Sequence, residues 1–79
     1  MPSQDAIDEE SRRIRRLRIA VHLALEVIAQ GQVPFEEATE LAEATRRVAA
    51  ALFPGKEDVF DLIYGPKFRR LITQVYRLQ

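Results

Sequence analysis

The chain offers few side chains with the chemistry that catalysis requires. It contains no cysteine, a single histidine (His22) and two serines, Ser3 and Ser11, which both lie near the N-terminus. A nucleophile, a base and an orienting group cannot be assembled from residues at these positions. We therefore predict that the protein is not an enzyme, and we assign no catalytic residue and no cofactor-binding residue.

A metal centre has equally little support in the sequence. His22 stands one helical turn before Glu26, whereas a stable zinc site needs about four ligands. Four glutamates lie close together further along the chain: Glu36, Glu37, Glu40 and Glu43. The di-metal bundle signature requires a Glu-x-x-His step, which the chain lacks. We predict no metal site and expect these carboxylates to lie on a solvated helix face.

Arginine supplies ten of the twelve basic residues, although the formal net charge is zero. Half of the arginines form one cluster: Arg12, Arg13, Arg15, Arg16 and Arg18. Asp8 and Glu9 each precede one of them by four residues, so we expect the pairs Asp8–Arg12 and Glu9–Arg13 on an exposed helix face. The other members are free to contact an acidic protein surface or the phosphates of a nucleic acid.

A second basic segment lies near the C-terminus. The short helix predicted before it, the turn at Gly65 and the basic helix resemble a helix-turn-helix DNA reader. The sequence departs from that pattern at Asp61, where a small residue is usual, and at Gln74, which stands where the pattern has a core residue. The alternative hypothesis of a nucleic-acid-binding accessory factor uses both basic segments: Arg12, Arg16, Lys67, Arg69, Arg70 and Arg77.

Glycine and proline divide the chain into segments of helical length. Apart from Pro2 they occur at three places only, 31–34, 54–55 and 65–66. Between these places the apolar residues recur at three- and four-residue steps, and no segment alternates as a strand does. We predict an all-α fold, a small compact antiparallel bundle of three to four helices with short connections. The single domain covers residues 1–79, with helices at about 5–30, 34–52, 56–64 and 66–78 and with residues 1–5 frayed.

Each of the three shorter helices has one apolar side, which we expect to face the core. In the second helix this side holds Ala38, Leu41, Ala42, Thr45, Val48, Ala49 and Leu52. The third helix offers Val59, Phe60 and Ile63, with Leu62 or Tyr64, and the last helix offers Phe68, Leu71, Ile72, Val75 and Tyr76. Phe53 is expected to close the end of the core.

The first helix differs because it is apolar on two sides. One broad stripe holds Ile14, Leu17, Val21, Ala24, Leu25 and Ile28. Almost opposite, a second ridge follows at four-residue steps: Ile19, Leu23 and Val27. A helix that is apolar on two sides must be covered on two sides. Either the shorter helices wrap both sides, or the second ridge binds another protein chain.

The second ridge leads to the functional prediction, a non-catalytic helical protein–protein interaction module. It would act as a homodimer or as a small accessory subunit of a larger partner. Ile19, Leu23 and Val27 supply the contact area, and Arg15, Arg16 and Arg18 set orientation and specificity. No small-molecule substrate and no cofactor is implied.

The location is predicted from what the sequence lacks. The longest stretch without a formal charge, residues 27–35, is interrupted by Gly31 and Pro34 and is far shorter than the roughly 20 residues of a membrane span. The N-terminus is acidic and polar, without the basic-then-apolar order of a secretory signal. We therefore expect a cytoplasmic protein that does not interact with a membrane.

Overall fold

The computed structural model describes residues 3–77. This part of the chain forms four helices and no strand: α1 (Gln4–Gln30), α2 (Phe35–Leu52), α3 (Glu57–Ile63) and α4 (Gly65–Tyr76). The predicted all-α bundle is confirmed, and each helix boundary lies within two residues of its expected position. Part of the segment expected to be frayed is helical, since α1 begins at Gln4. Met1, Pro2, Leu78 and Gln79 lie outside the described residues, and so does the predicted last residue of the fourth helix, at position 78.

Local chemistry explains where α1 begins and ends. The Ser3 hydroxyl accepts a hydrogen bond from the Ala6 backbone N–H at 3.2 Å, which satisfies one of the free donors of the first turn. At the other end Gly31 adopts a left-handed conformation with φ of 67°. A Cβ atom at this position would also lie 3.2 Å from Val75 of α4. The glycine is therefore required both by the backbone conformation and by the close approach of α4.

The helices pack around α2 and α4. α1 packs against α2 and α4, and α3 packs against the same two helices, whereas no Cα atom of α3 lies within 8 Å of one in α1. α2 runs antiparallel to α1, because Val27 shares a groove with Leu41 while Ile14 lies in a cleft with Ala49. The buried apolar side chains come from all four helices: Val21, Ala24, Ile28, Ala38, Ala49, Phe60, Phe68 and Ile72.

The molecule is elongated, with principal extents of 49 × 21 × 15 Å. Its radius of gyration is 14.3 Å, compared with about 11.6 Å for a compact domain of this length. α1 has 27 residues and α2 has 18, so α1 is longer by about 13 Å at 1.5 Å per residue. The N-terminal turns of α1 consequently extend past the bundle, and residues 3–12 are all exposed.

The expected core sides of α3 and α1 are only partly buried. α3 contributes one buried residue, Phe60, whereas Val59, Leu62 and Ile63 are exposed. The expectation that Val59 and Ile63 belong to the core is therefore wrong. The physical reason is that a cleft lies between α3 and α1, so the side of α3 that faces α1 stays open. Ile14, expected on the core stripe of α1, is exposed at the same opening.

Two polar groups at the core are satisfied by backbone carbonyls. Thr45 is buried, as predicted, and its hydroxyl donates to the Leu41 carbonyl at 2.8 Å. The Tyr76 hydroxyl donates to the Val33 carbonyl at 2.6 Å, and the Tyr76 ring packs edge-on against Phe35 with centroids 6.0 Å apart. This contact fastens α4 to the connection between α1 and α2.

Candidate interaction surface

The two apolar sides of α1 have opposite environments in the structure. On the core side Val21, Ala24 and Ile28 are 5 %, 6 % and 0 % exposed. On the second ridge Ile19, Leu23 and Val27 are 52 %, 56 % and 36 % exposed. Within residues 3–77 the shorter helices therefore do not wrap both sides of α1, and the second ridge remains uncovered.

α2 extends this ridge into a broader apolar surface. A shallow groove of about 230 Å³ runs between the two helices, and most of its lining is aliphatic. Val48, expected in the core, is 40 % exposed at its edge. The groove is lined by Ala20, Leu23, Ala24, Val27, Leu41, Ala44, Thr45 and Val48. We call the surface formed by Ile19, Leu23, Val27, Leu41, Ala44 and Val48 the α1–α2 face.

Sequence reasoning found the α1 half of this face and missed the α2 half. The missed residues are Leu41, Ala44 and Val48, of which two were assigned to the core. The signal was present, because at about 100° per residue the apolar arc of α2 from Ala44 to Ala42 spans about 160°. Such an arc is wider than one neighbouring helix covers.

One end of the α1–α2 face is acidic. A hollow of about 350 Å³ at the start of α2 is lined by Val27, Val33, Leu41 and Ala44 together with Glu37 and Glu40. The Glu40 carboxylate accepts a hydrogen bond from Arg47 at 2.5 Å. Arg47 stands about two helical turns after Glu40 on α2. Glu37 is exposed.

The opposite end of the face is basic. Arg12 and Arg16 lie within about 20° of Leu23 around the axis of α1, so they continue the ridge toward the N-terminus. Both are exposed. The expected Asp8–Arg12 and Glu9–Arg13 pairs are not among the ion pairs of residues 3–77. Asp8 accepts from the Gln4 amide at 3.0 Å instead, and exposed pairs of this kind contribute little.

Comparison of the chain with protein-family models, with curated proteins and with solved structures finds no match.

The other two arginines predicted to flank the ridge lie elsewhere on α1. Arg18 lines a separate cleft of about 370 Å³ between α1 and α3, together with Ile14, Val59 and Ile63. Around the axis of α1, Arg18 lies about 140° from Leu23, and Arg15 lies about 80° from Leu23. Of these three arginines, only Arg16 lies on the α1–α2 face.

The six residues of the nucleic-acid alternative do not form one compact patch. Arg77 stands two residues after Val75, whose side chain lies beside Gly31 at the C-terminal end of α1. Arg12 stands 19 residues before Gly31, which corresponds to about 28 Å along α1. The Lys67 amine lies 5.7 Å from the centre of the Tyr64 ring. Arg69 covers Gly65, where a Cβ atom would lie 3.2 Å from its guanidinium. Arg70 is exposed on α4, and Arg16 belongs to the α1–α2 face.

Asp61 has a structural role that the sequence did not reveal. Arg46 of α2 donates two hydrogen bonds to the Asp61 carboxylate of α3, at 2.7 and 2.9 Å. The hydrogen bonding from Arg46 lowers the pKa of Asp61 below its ordinary value, and the charges of Arg46 and Arg69 act in the same direction. This ion pair lies beside a groove of about 480 Å³ among Phe35, Phe60 and Phe68.

The histidine of the chain, His22, has one carboxylate beside it. His22 is exposed and lies 3.1 Å from Glu26, one turn along α1. In residues 3–77 no three side chains of the metal-ligating types come together in a group that could hold a metal ion.

In the same part of the chain, none of the helices combines the length and the apolar character needed to cross a membrane.

Proposed function

We propose that this protein is a non-catalytic helical protein–protein interaction module that binds its partner through the α1–α2 face. The observation that carries the proposal is the exposure of Ile19, Leu23 and Val27 in the folded chain. The module would act as a homodimer or as a small accessory subunit. The cytoplasmic location predicted from the sequence is part of this proposal.

The shape of the face supports binding to another helix. Ala20, Ala24 and Ala44 line the groove with small side chains that let a helix approach closely. Leu23 and Val48 line the same groove and are exposed, so they offer larger aliphatic contacts. An amphipathic helix laid in such a groove buries aliphatic side chains from both partners. Each square ångström of apolar surface removed from water contributes about 25 cal/mol.

The charge layout supports specificity. The apolar centre lies between a basic end, with Arg12 and Arg16, and an acidic end, with Glu37 and Glu40. A polar, charged rim around an apolar centre is typical of a specific interface, in which the charges select the partner and its orientation.

A photo-crosslinking experiment in the native host tests this proposal. Leu23 is replaced by benzoylphenylalanine, and Gln74, exposed on α4, is replaced in a control chain. We expect a covalent adduct with a protein from the Leu23 position and none from the Gln74 position. If the chain with benzoylphenylalanine at position 23 accumulates in the cell to the same amount as the control chain and forms no adduct, the proposal is wrong.

A further inference from the structure

We infer that the partner is a second copy of this chain, bound antiparallel through the α1–α2 face around a two-fold axis. The inference rests on the proposed function and deepens it by naming the occupant of the face. It is carried by the arrangement of charges on the face, which is complementary to itself when one copy is reversed.

The positions along the two helices set the geometry. Leu23 of α1 and Ala44 of α2 line the same groove, so they mark one level of the antiparallel pair. Arg16 stands seven residues before Leu23, and Glu37 stands seven residues before Ala44. Seven residues of helix correspond to about 10 Å. Because α1 and α2 run in opposite directions, Arg16 and Glu37 lie equally far from this level on opposite sides.

A two-fold axis at this level, running between the two faces and across the helices, reverses one copy relative to the other. The same patch then meets itself, as an isologous interface requires. Leu23 of one copy meets Leu23 of the other. Ile19 of one copy comes level with Val27 of the other, and Leu41 comes level with Val48. The apolar centres coincide, and four helices form one shared core.

The same rotation brings opposite charges to the same level. The Arg16 end of each copy lies at the end where the other copy carries Glu37 and Glu40. A parallel arrangement would place the two basic ends together and the two acidic ends together, which is unfavourable. Charge complementarity therefore favours the antiparallel dimer over the parallel one.

The chain exposes more surface than a compact monomer of its mass, as a chain that buries part of its surface in a dimer would. The chain exposes 5997 Å², whereas a compact monomer of this mass exposes about 4,900 Å². The excess of about 1,100 Å² includes the projecting turns of α1 and is comparable with the roughly 800 Å² that each partner buries in a standard interface.

The first measurement is the mass of the purified chain by light scattering and sedimentation. We expect about twice the 9.1 kDa chain mass at about 100 µM, with dissociation on dilution. A monomer at this concentration overturns the inference. The proposed function would still stand if the crosslinking experiment gave an adduct with a different protein, so the two failures are distinguishable.

The second measurement tests the antiparallel orientation by exchanging charges. Arg16→Glu and Glu37→Arg each place like charges at the same level, so we expect each variant alone to dimerise about tenfold more weakly. An equimolar mixture of the two variant chains restores opposite charges at both ends of a mixed dimer. We expect this mixture to recover an affinity within about threefold of the original chain.

A matched control separates this geometry from a simple effect of net charge. Arg70→Glu changes the charge by the same amount at an exposed position on α4, and we expect it to leave the dimer unchanged. Helicity by circular dichroism confirms that the variants remain folded. If Arg16→Glu and Glu37→Arg leave dimerisation unchanged, or if their mixture stays as weak as each alone, the antiparallel geometry is wrong.

Discussion

The two apolar sides of α1 are built from similar aliphatic residues and differ in what covers them. Ile28 is fully buried and Leu23, five residues earlier, is mostly exposed. The difference arises from the number of neighbouring helices. α2 and α4 cover one side of α1, and α3 lies across a cleft from Ile14 and Arg18, away from the side that carries Leu23. Residue type alone therefore does not decide whether a side of a helix is core or binding surface in a bundle this small.

The two sides of α1 contribute to stability in different ways. The buried side contributes to the free energy of unfolding of each chain, since its contacts form whenever the chain folds. The exposed side contributes only when another molecule covers it, so its effect depends on concentration.

The largest expected effect tests this contrast directly. Ile28→Ala should lower the free energy of unfolding by about 2–5 kcal/mol, because it leaves a cavity at a fully buried site. Leu23→Ala should change it by no more than about 0.5 kcal/mol in the dilute, monomeric chain. Urea denaturation followed by circular dichroism measures both variants.

The same two variants should also differ in their dependence on concentration. Repeating the denaturation at a protein concentration about tenfold higher should increase the loss caused by Leu23→Ala and leave the loss caused by Ile28→Ala unchanged. Equal losses from the two variants in the dilute chain would show that the second ridge is part of the core.

Local rules were sufficient to predict the helices. Gly31 and the Gly65–Pro66 pair mark the boundaries that the structure shows, because one suits a left-handed exit and the other a first helical turn. Most of the core sides of α1, α2 and α4 also follows from periodicity, with Ile28, Ala38 and Phe68 buried as expected. Ile14 and Val48 are the exceptions named above. These features depend on neighbours in sequence.

The arrangement of the helices could not be obtained in the same way. Whether Val59 and Ile63 are buried depends on the gap between α1 and α3, which no local pattern encodes. The partner of Asp61 lies fifteen residues away on another helix. The candidate site was therefore predicted as the α1 ridge, whereas its α2 half and the alignment of Arg16 with Leu23 required the packing of α1 on α2.

A smaller loss of stability is expected from the contact that covers the buried side of α1 at its C-terminal end. Tyr76→Phe removes the hydrogen bond to the Val33 carbonyl and should lower the free energy of unfolding by about 1 kcal/mol. Tyr64→Phe is the matched control, since the Tyr64 hydroxyl makes no hydrogen bond to protein in residues 3–77, and should change stability by less than about 0.5 kcal/mol. Thermal denaturation of both variants measures the difference. Equal effects would mean that the Tyr76–Val33 contact does not hold α4 in place.

The smallest effect concerns the Arg46–Asp61 ion pair, which joins α2 to α3 away from α1. Because Arg46 lowers the pKa of Asp61 in the folded chain, the pair stabilises the fold fully above the ordinary value of 3.8. This stabilisation is lost as the pH falls below that value and Asp61 becomes protonated. The stability difference between the original chain and Asp61→Asn should therefore be constant near neutral pH and shrink between about pH 4 and pH 2. Urea denaturation across this pH range measures it. A difference that stays constant down to pH 2 would show that the ion pair contributes nothing, and that apolar contacts alone hold α3 on the side of the bundle that leaves the α1–α2 face open.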